Sequence, residues 1–421
     1  MKKLIVMFLF AAACYAQVNF DQYFENKSLR LDFYHTGDKN SEIISFGKCL
    51  VEPYYGGSHK NLIDPTEYGY YFFKVFDAST NQVIYSRGFS TLFQEYQTTE
   101  EAKTVTKTFS GSLTFPFPKN TVRVELYRRD RENRFIKKFE YTVNPKNYFI
   151  SPERQYEFPN FKVRYSGDPS QKLDIVFIPE GYTKEQMDVF KKDCERCAEY
   201  LLSYSPFAEN KDKINIWGVE APSVESETDI PGKNVWKNTI LNSNFYTFDS
   251  ERYCMTSDYH KVRDVASNAP YDQIYILVNT TKYGGGAIYN YYSMTAAKNK
   301  SAKQILVHEF AHGLAGIADE YEGDVTYQDM YPPNVEPWEV NITTLVAFDK
   351  KWKDMLDKDT PVPTPKDPSN VNKLGVYEGG GYVKKGVFRP TMDSIMNTFR
   401  ANEFNAVCKR AILQVLNLYA E

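Results

Sequence analysis

Two histidines four residues apart, with a glutamate directly after the first, dictate the geometry of one stretch of this chain before anything else is known: His308-Glu309-Phe310-Ala311-His312. On an α-helix, residues i and i+4 lie one above the other, with Cβ atoms roughly 5–6 Å apart. Two imidazoles so placed can converge on one zinc ion at about 2.0–2.1 Å each. Glu309 is rotated off that line, beside the open coordination position, where it can take a proton from an attacking water. The setting predicts the helix: Ser301-x-x-Gln304 reads as a capping box that opens it, and it runs to about Ala315. With five histidines in 421 residues, chance places such a motif in on the order of a few chains per thousand.

A catalytic zinc takes three protein ligands and leaves a fourth position for water. His35, His59 and His260 are far upstream, so a carboxylate is the economical third ligand. Gly316 falls where the helix should end, and a glycine there permits the left-handed turn that sends the chain back. The return presents Asp319 and Glu320; Asp319 is the first choice, Glu320 the alternative, and the unused carboxylate would hold a histidine tautomer. Asp319, Glu320, Glu322 and Asp324 also fit a solvated acidic loop, and a structural calcium ion is left open. Met396, in the turn-like Ser394-Ile-Met396-Asn after Arg389-Pro390, could floor the site or be ordinary packing. Gly284, Gly285, Gly286 and Tyr289 form a candidate substrate rim, where an extended peptide could approach the backbone for strand addition. The same stretch equally fits a hairpin tip packed by tyrosines, and Glu378-Gly-Gly-Gly-Tyr382 is open in the same way.

At roughly 100–200 residues per domain, 421 residues make two or three domains, and two patterns divide the chain. Residues 18–147 read as an antiparallel β-sandwich: Leu29–Tyr34 and Val122–Tyr127 alternate, Tyr70–Phe76 is a buried run, and no convincing helix interrupts. A polar, proline-containing linker spans 148–170. Residues 171–421 alternate strands (Leu173–Ile178, Ile214–Val219, Ile274–Val278) with helices, an α/β or α+β layout. One helix opens with the capping box Thr183-x-x-Gln186, and a closing helix is expected over Glu403–Tyr419. A proline-rich irregular stretch lies between Tyr331 and Asn370, long enough to be an insertion over the site.

Residues 1–16 read as a secretory signal: Lys2-Lys3, an apolar run, then Cys14-Tyr15-Ala16. Cleavage after Ala16 gives a periplasmic or extracellular protein. Lipid attachment at Cys14 would instead give a surface lipoprotein with outer-membrane association, but Ala11 stands where such signals usually carry Leu. The five remaining cysteines are odd in number and scattered, so they make no disulfide framework. Cys194 and Cys197 fall on a helical stripe with Met187, Phe190 and Leu201, which makes them core thiols. A net charge of −3 offers no footprint for nucleic acid; the expected partner, a protein or peptide substrate, follows from the zinc motif.

The stretch His308-Glu-Phe-Ala-His-Gly-Leu-Ala-Gly-Ile-Ala-Asp-Glu-Tyr321 resembles the zinc motif of the bacterial IgA-peptidase family of metallopeptidases. Asp174–Thr183, Ala221–Ser226 and Tyr377 through Met396 are similar to further blocks of that family, and the β-rich first part to the domain that often precedes its catalytic unit. The turn at Met396 resembles the methionine turn of metzincins, although the tyrosine found next to it in several of them is missing. The resemblance implies a zincin or metzincin-like catalytic domain in an exported zinc endopeptidase, acting on immunoglobulin A or other extracellular proteins. It implies His308 and His312 as ligands, Glu309 as general base and Asp319 as third ligand. The alternative is an exported surface protein that binds glycans or proteins on an idle peptidase scaffold.

Overall fold

The computed structural model describes residues 17–152, 156–323, 331–371 and 373–420. The expected signal segment 1–16, with Cys14, lies outside them, as does Asp324. A one-turn helix α1 (Phe20–Tyr23) leads into β1 (Phe24–Gly37), which pairs antiparallel with β2 (Glu42–Glu52) and, on its other side, β5 (Lys107–Pro118). A second antiparallel sheet runs in the order β4 (Val83–Phe89), β3 (Tyr71–Asp77), β6 (Val122–Arg129), β7 (Phe135–Val143). Alternate residues of the two sheets meet in one core: Leu31, Phe33 and Phe115 from the first, Phe73, Val75 and Leu126 from the second. Between β4 and β5 the chain forms a short helix, α2 (Leu92–Tyr96), capped by Thr91. The sequence reading expected no helix here; five residues are too few to show a 3.6-residue period.

The second unit is built on a six-stranded sheet. Its order is β12 (Gly285–Ile288), β13 (Tyr292–Ala296), β11 (Gln273–Val278), β9 (Leu173–Glu180), β10 (Ile214–Val219), β8 (Asn160–Arg164). The four inner strands run parallel and the two edge strands antiparallel. Every residue of β9 is buried, as a strand covered on both faces requires. One face is covered by α3 (Met187–Leu202), α5 (Ala302–Ala315) and α6 (Ala406–Tyr419), whose Phe190, Leu201, Phe310 and Ile412 share a core with Ile175, Phe177 and Tyr275. Cys194 and Cys197 are free and buried in it.

The opposite face is covered by α4 (Tyr259–Ala266) and by the first unit itself. Leu92, Phe93, Tyr96 and Phe109 join Val176, Ile178, Ile274 and Ile276 in a single cluster. Polar contacts cross the same boundary: Arg30 sits between Asp32 and Asp264, and Tyr271 donates to Glu52. The chain is a multidomain α+β protein whose parts share a core.

Two helix starts differ from expectation. The capping box at Thr183 and Gln186 forms, with a 3₁₀ turn before α3. The one expected at Ser301 does not: Ser301 has no side-chain cap, and Asn299 takes over by accepting from the Ser301 N–H at 2.9 Å. The closing helix begins at Ala406 rather than Glu403, because Asn405 caps it by accepting from the Cys408 N–H. The proline-rich stretch is irregular with short 3₁₀ turns, gathered around the fully buried Trp352. A hairpin of β14 (Tyr377–Gly380) and β15 (Val383–Arg389) follows it. Among the described residues no helix is long and apolar enough to cross a membrane.

Candidate metal centre and cleft

Helix α5 ends at Gly316, whose φ of +58° turns the chain back beneath the helix. The consequence is a convergence of three side chains. The Nε2 atoms of His308 and His312 lie 3.0 Å apart, and Asp319 Oδ1 lies 3.1 Å from the first and 3.4 Å from the second. Each ring's Nδ1 faces a backbone carbonyl, that of Ile395 at 3.0 Å for His308 and that of Ile317 for His312. Those carbonyls can only accept, so Nδ1 carries the proton and each Nε2 turns a lone pair inward. Asp319 Oδ1 is buried without a hydrogen-bond donor. Three electron pairs facing one another in a buried space repel unless a cation lies among them. With no metal ion among them, a proton can take the cation's place at His312 Nε2. Burial alone would lower His312, but the Asp319 carboxylate outweighs it and holds the imidazole up at about 9. Burial would likewise raise Asp319, and the two histidines instead hold it well below the usual carboxylate range. The residues present therefore fit a metal ion, and they are the one such group among the described residues.

Glu320, the alternative ligand, points the other way. Its fully buried carboxylate accepts from Asn341 (3.0 Å), Ser394 (2.6 Å) and Asn405 (2.8 Å), with the Cys408 thiol at 3.5 Å. It holds no histidine tautomer either, since backbone carbonyls do that; it ties the chain after α5 to the turn at 394–396 and to α6. Met396 is fully buried, and its carbonyl accepts from the Glu320 N–H at 2.8 Å. The neighbouring Ile395 carbonyl faces the His308 ring at 3.0 Å, so this turn lies against the histidine pair. Glu322 pairs with Lys366 (2.7 Å) and Arg389 (3.2 Å), so among the described residues Asp319, Glu320 and Glu322 do not converge as a calcium loop would need.

The three ligand candidates open into a cleft of about 820 Å³. Glu309 lines it; burial pushes its carboxyl up, His308 and His312 pull it down, and the net shift is upward. Gly285, on edge strand β12, lies against it: a Cβ there would stand 3.5 Å from Glu309 Cγ and 2.6 Å from the Met294 carbonyl. Gly284, Gly285 and Gly286 all line the cleft, but the backbone of Gly285 is already paired, its N–H with the Arg252 carbonyl and its carbonyl with the Cys254 N–H, both at 3.3 Å. Strand addition at that residue is therefore pre-empted by the chain itself. Tyr289 is 6% exposed, packed beside Trp338 and Tyr68, and supports the wall more than it offers a contact.

Two residues take roles at the site that the sequence does not assign: Tyr382 stands there only as the end of an undecided glycine stretch, and Glu95 is not singled out. Tyr382, at the turn of the β14–β15 hairpin, donates its hydroxyl to Asp319 Oδ2 and so fixes the carboxylate whose other oxygen faces the histidines. The three glycines before it adopt φ of +96°, +154° and +57°, which is how the hairpin turns tightly enough to deliver it. Glu95, from α2 in the first unit, also lines the cleft and accepts from the Tyr253 hydroxyl. The glycine run marks the turn before Tyr382 but not its partner, and nothing local marks Glu95, since each reaches the site only through tertiary contact.

Two imidazoles and a carboxylate on the floor of an open cleft are the donor set of metal-dependent hydrolases. The family described as IgA Peptidase M64 matches residues 161–374 and 366–416, and the description Peptidase M64 N-terminus matches residues 19–140. The chain belongs to the IgA Peptidase M64 family. Membership makes it a peptidase, with protein or peptide as substrate and a metal as the class of cofactor. No curated protein matches the chain.

Proposed function

We propose that this protein is an exported, zinc-dependent endopeptidase of zincin or metzincin type, with His308, His312 and Asp319 as ligands and Glu309 as general base. The observation that carries the reading is the convergence of His308 Nε2, His312 Nε2 and Asp319 Oδ1 within one cleft that Glu309 also lines. A zinc ion held there supplies Lewis-acid chemistry, polarising the scissile carbonyl and easing the deprotonation of water. Glu309 accepts the proton of the attacking water at its carboxylate and returns it to the leaving amine nitrogen. Its raised proton affinity suits both halves of that transfer. Tyr382 and the carbonyls of Ile317 and Ile395 keep the three donor atoms aimed inward. Export rests on the character of residues 1–16. Immunoglobulin A, named in the family description, and other extracellular proteins are the substrate candidates. The binding-protein alternative leaves the three converging donors without a use.

The test is mass-spectrometric mapping of cut sites in a diverse peptide and protein mixture, with metal content measured in parallel. Glu309→Ala is expected to keep its zinc and lose turnover by about 10²–10⁴-fold; His308→Ala or His312→Ala should lose both. Unchanged cutting by Glu309→Ala, or cutting indifferent to a chelator, would sink the mechanism.

A further inference from the structure

The cleft is not built by the second unit alone. Ser90, Gln94, Glu95 and Thr99 of the first unit form one of its walls, held there by the shared core of Leu92, Phe93 and Tyr96. Within that wall two acceptors stand out. Glu95 receives one hydrogen bond, from the Tyr253 hydroxyl, and among the described residues no lysine or arginine pairs with it. Of the other acidic side chains around the cleft, Glu100 pairs with Lys103 at 2.6 Å and Glu101 with Lys107 at 2.5 Å, and Lys351 and Arg129 lie near Glu339. The second acceptor is Gln94 Oε1, a buried atom with no hydrogen-bond partner. Glu95 and Gln94 are successive residues of α2 and both line the cleft; a carboxylate with a single hydroxyl donor and an amide oxygen with none ask for a cationic donor.

We propose that Glu95, assisted by Gln94, is a specificity-determining subsite through which the first unit selects a basic side chain, lysine or arginine, of the peptide substrate. This rests on the peptidase reading above. The cation's N–H groups would satisfy the Glu95 carboxylate and the Gln94 oxygen together, and its stem would lie along the cleft wall near Tyr253. Burial pushes the Glu95 carboxyl up to about 7, the condition of a carboxylate that an arriving cation draws back to its ionised form. The role of the first unit is then to complete the substrate site.

The experiment uses the full-length, zinc-loaded protein and a peptide series in which each position around a mapped cut site is varied through Lys, Arg, Gln and Glu, each with free and acetylated amino terminus. Wild type should prefer Lys or Arg at one position in both terminal forms, by about tenfold or more in kcat/KM. Glu95→Gln should remove that preference, lowering kcat/KM for the Lys and Arg peptides by about tenfold toward that of the Gln-bearing peptide, and Glu95→Lys should turn it toward Glu. A second readout avoids turnover: fluorescence anisotropy of the Lys peptide on Glu309→Gln should show weaker binding when Glu95→Gln is added. A preference confined to free amino termini overturns the side-chain assignment. So does an equal loss across all peptides, which marks Glu95 as structural. If wild type cuts no peptide and chelation changes nothing, the peptidase reading fails first and takes this subsite with it.

Discussion

Asp319 and Glu320 are adjacent, equally acidic and both buried, yet they do opposite work, and the difference lies in what surrounds each. Asp319 faces two lone pairs and keeps one oxygen undonated; Glu320 is saturated by three side-chain N–H and O–H donors and a thiol. The sequence could place the pair near the metal because helix periodicity and the C-terminal glycine are local rules. It could not make the choice between them, because the deciding partners, Tyr382, Asn341, Ser394 and Asn405, come from distant parts of the chain. Tyr382→Phe should therefore leave the fold intact and weaken metal binding by about 10–100-fold, as loss of a ligand's supporting partner usually does. Competition with a graded series of chelators measures this, and an unchanged affinity would show that Asp319 needs no such support.

Helix α5 stops where it does because Gly316 accepts a left-handed conformation at the point where the Trp338 ring closes over it. A Cβ at Gly316 would come within 2.4 Å of that ring, and φ of +58° is unfavourable for an L residue. Gly316→Ala is expected to destabilise the protein by more than about 1 kcal/mol and to lower metal affinity, because Asp319 reaches the site only through this turn. Thermal denaturation with and without metal would check both effects. Elements with strong local signals were legible: β9, β10, β11, α3 and α5 fall where alternation, apolar runs and capping residues put them. The missing side-chain cap at Ser301 and the later start of the closing helix at Ala406 share a cause. In each case a nearby asparagine organises the turn through its own side chain, and serine–glutamine spacing or helix propensity alone does not reveal which residue wins.

At the scale of the whole molecule, the shared core between the β-sandwich and the six-stranded sheet predicts a single cooperative unfolding transition in calorimetry; two separated transitions would contradict it. The neighbouring residues Asp174, on β9, and Asp272, just before β11, add a pH term. Burial raises both carboxyls; the Asp174 charge raises Asp272 further and Asp168 raises Asp174, while Trp217 and Asn215 donate to Asp174 and partly oppose the shift. The folded state therefore binds protons that the unfolded chain releases above about pH 4. Their contribution is complete below that value and is lost as pH rises toward and through the raised folded values. Asp174→Asn, which keeps the neutral shape, should show a melting temperature that falls less between pH 5 and pH 8 than that of wild type; parallel profiles would refute the assignment.

The turn at 394–396 and the start of α6 sit far along the chain, yet the ring of His308 is aimed by the Ile395 carbonyl, and Glu320 is anchored by Ser394, Asn405 and Cys408. A ribosome delivers the histidines well before it delivers those anchors. While residues 395–408 are still unmade, the His308 ring and the Glu320 carboxylate lack these partners, so the site takes its final form only once the far end of the domain has been added.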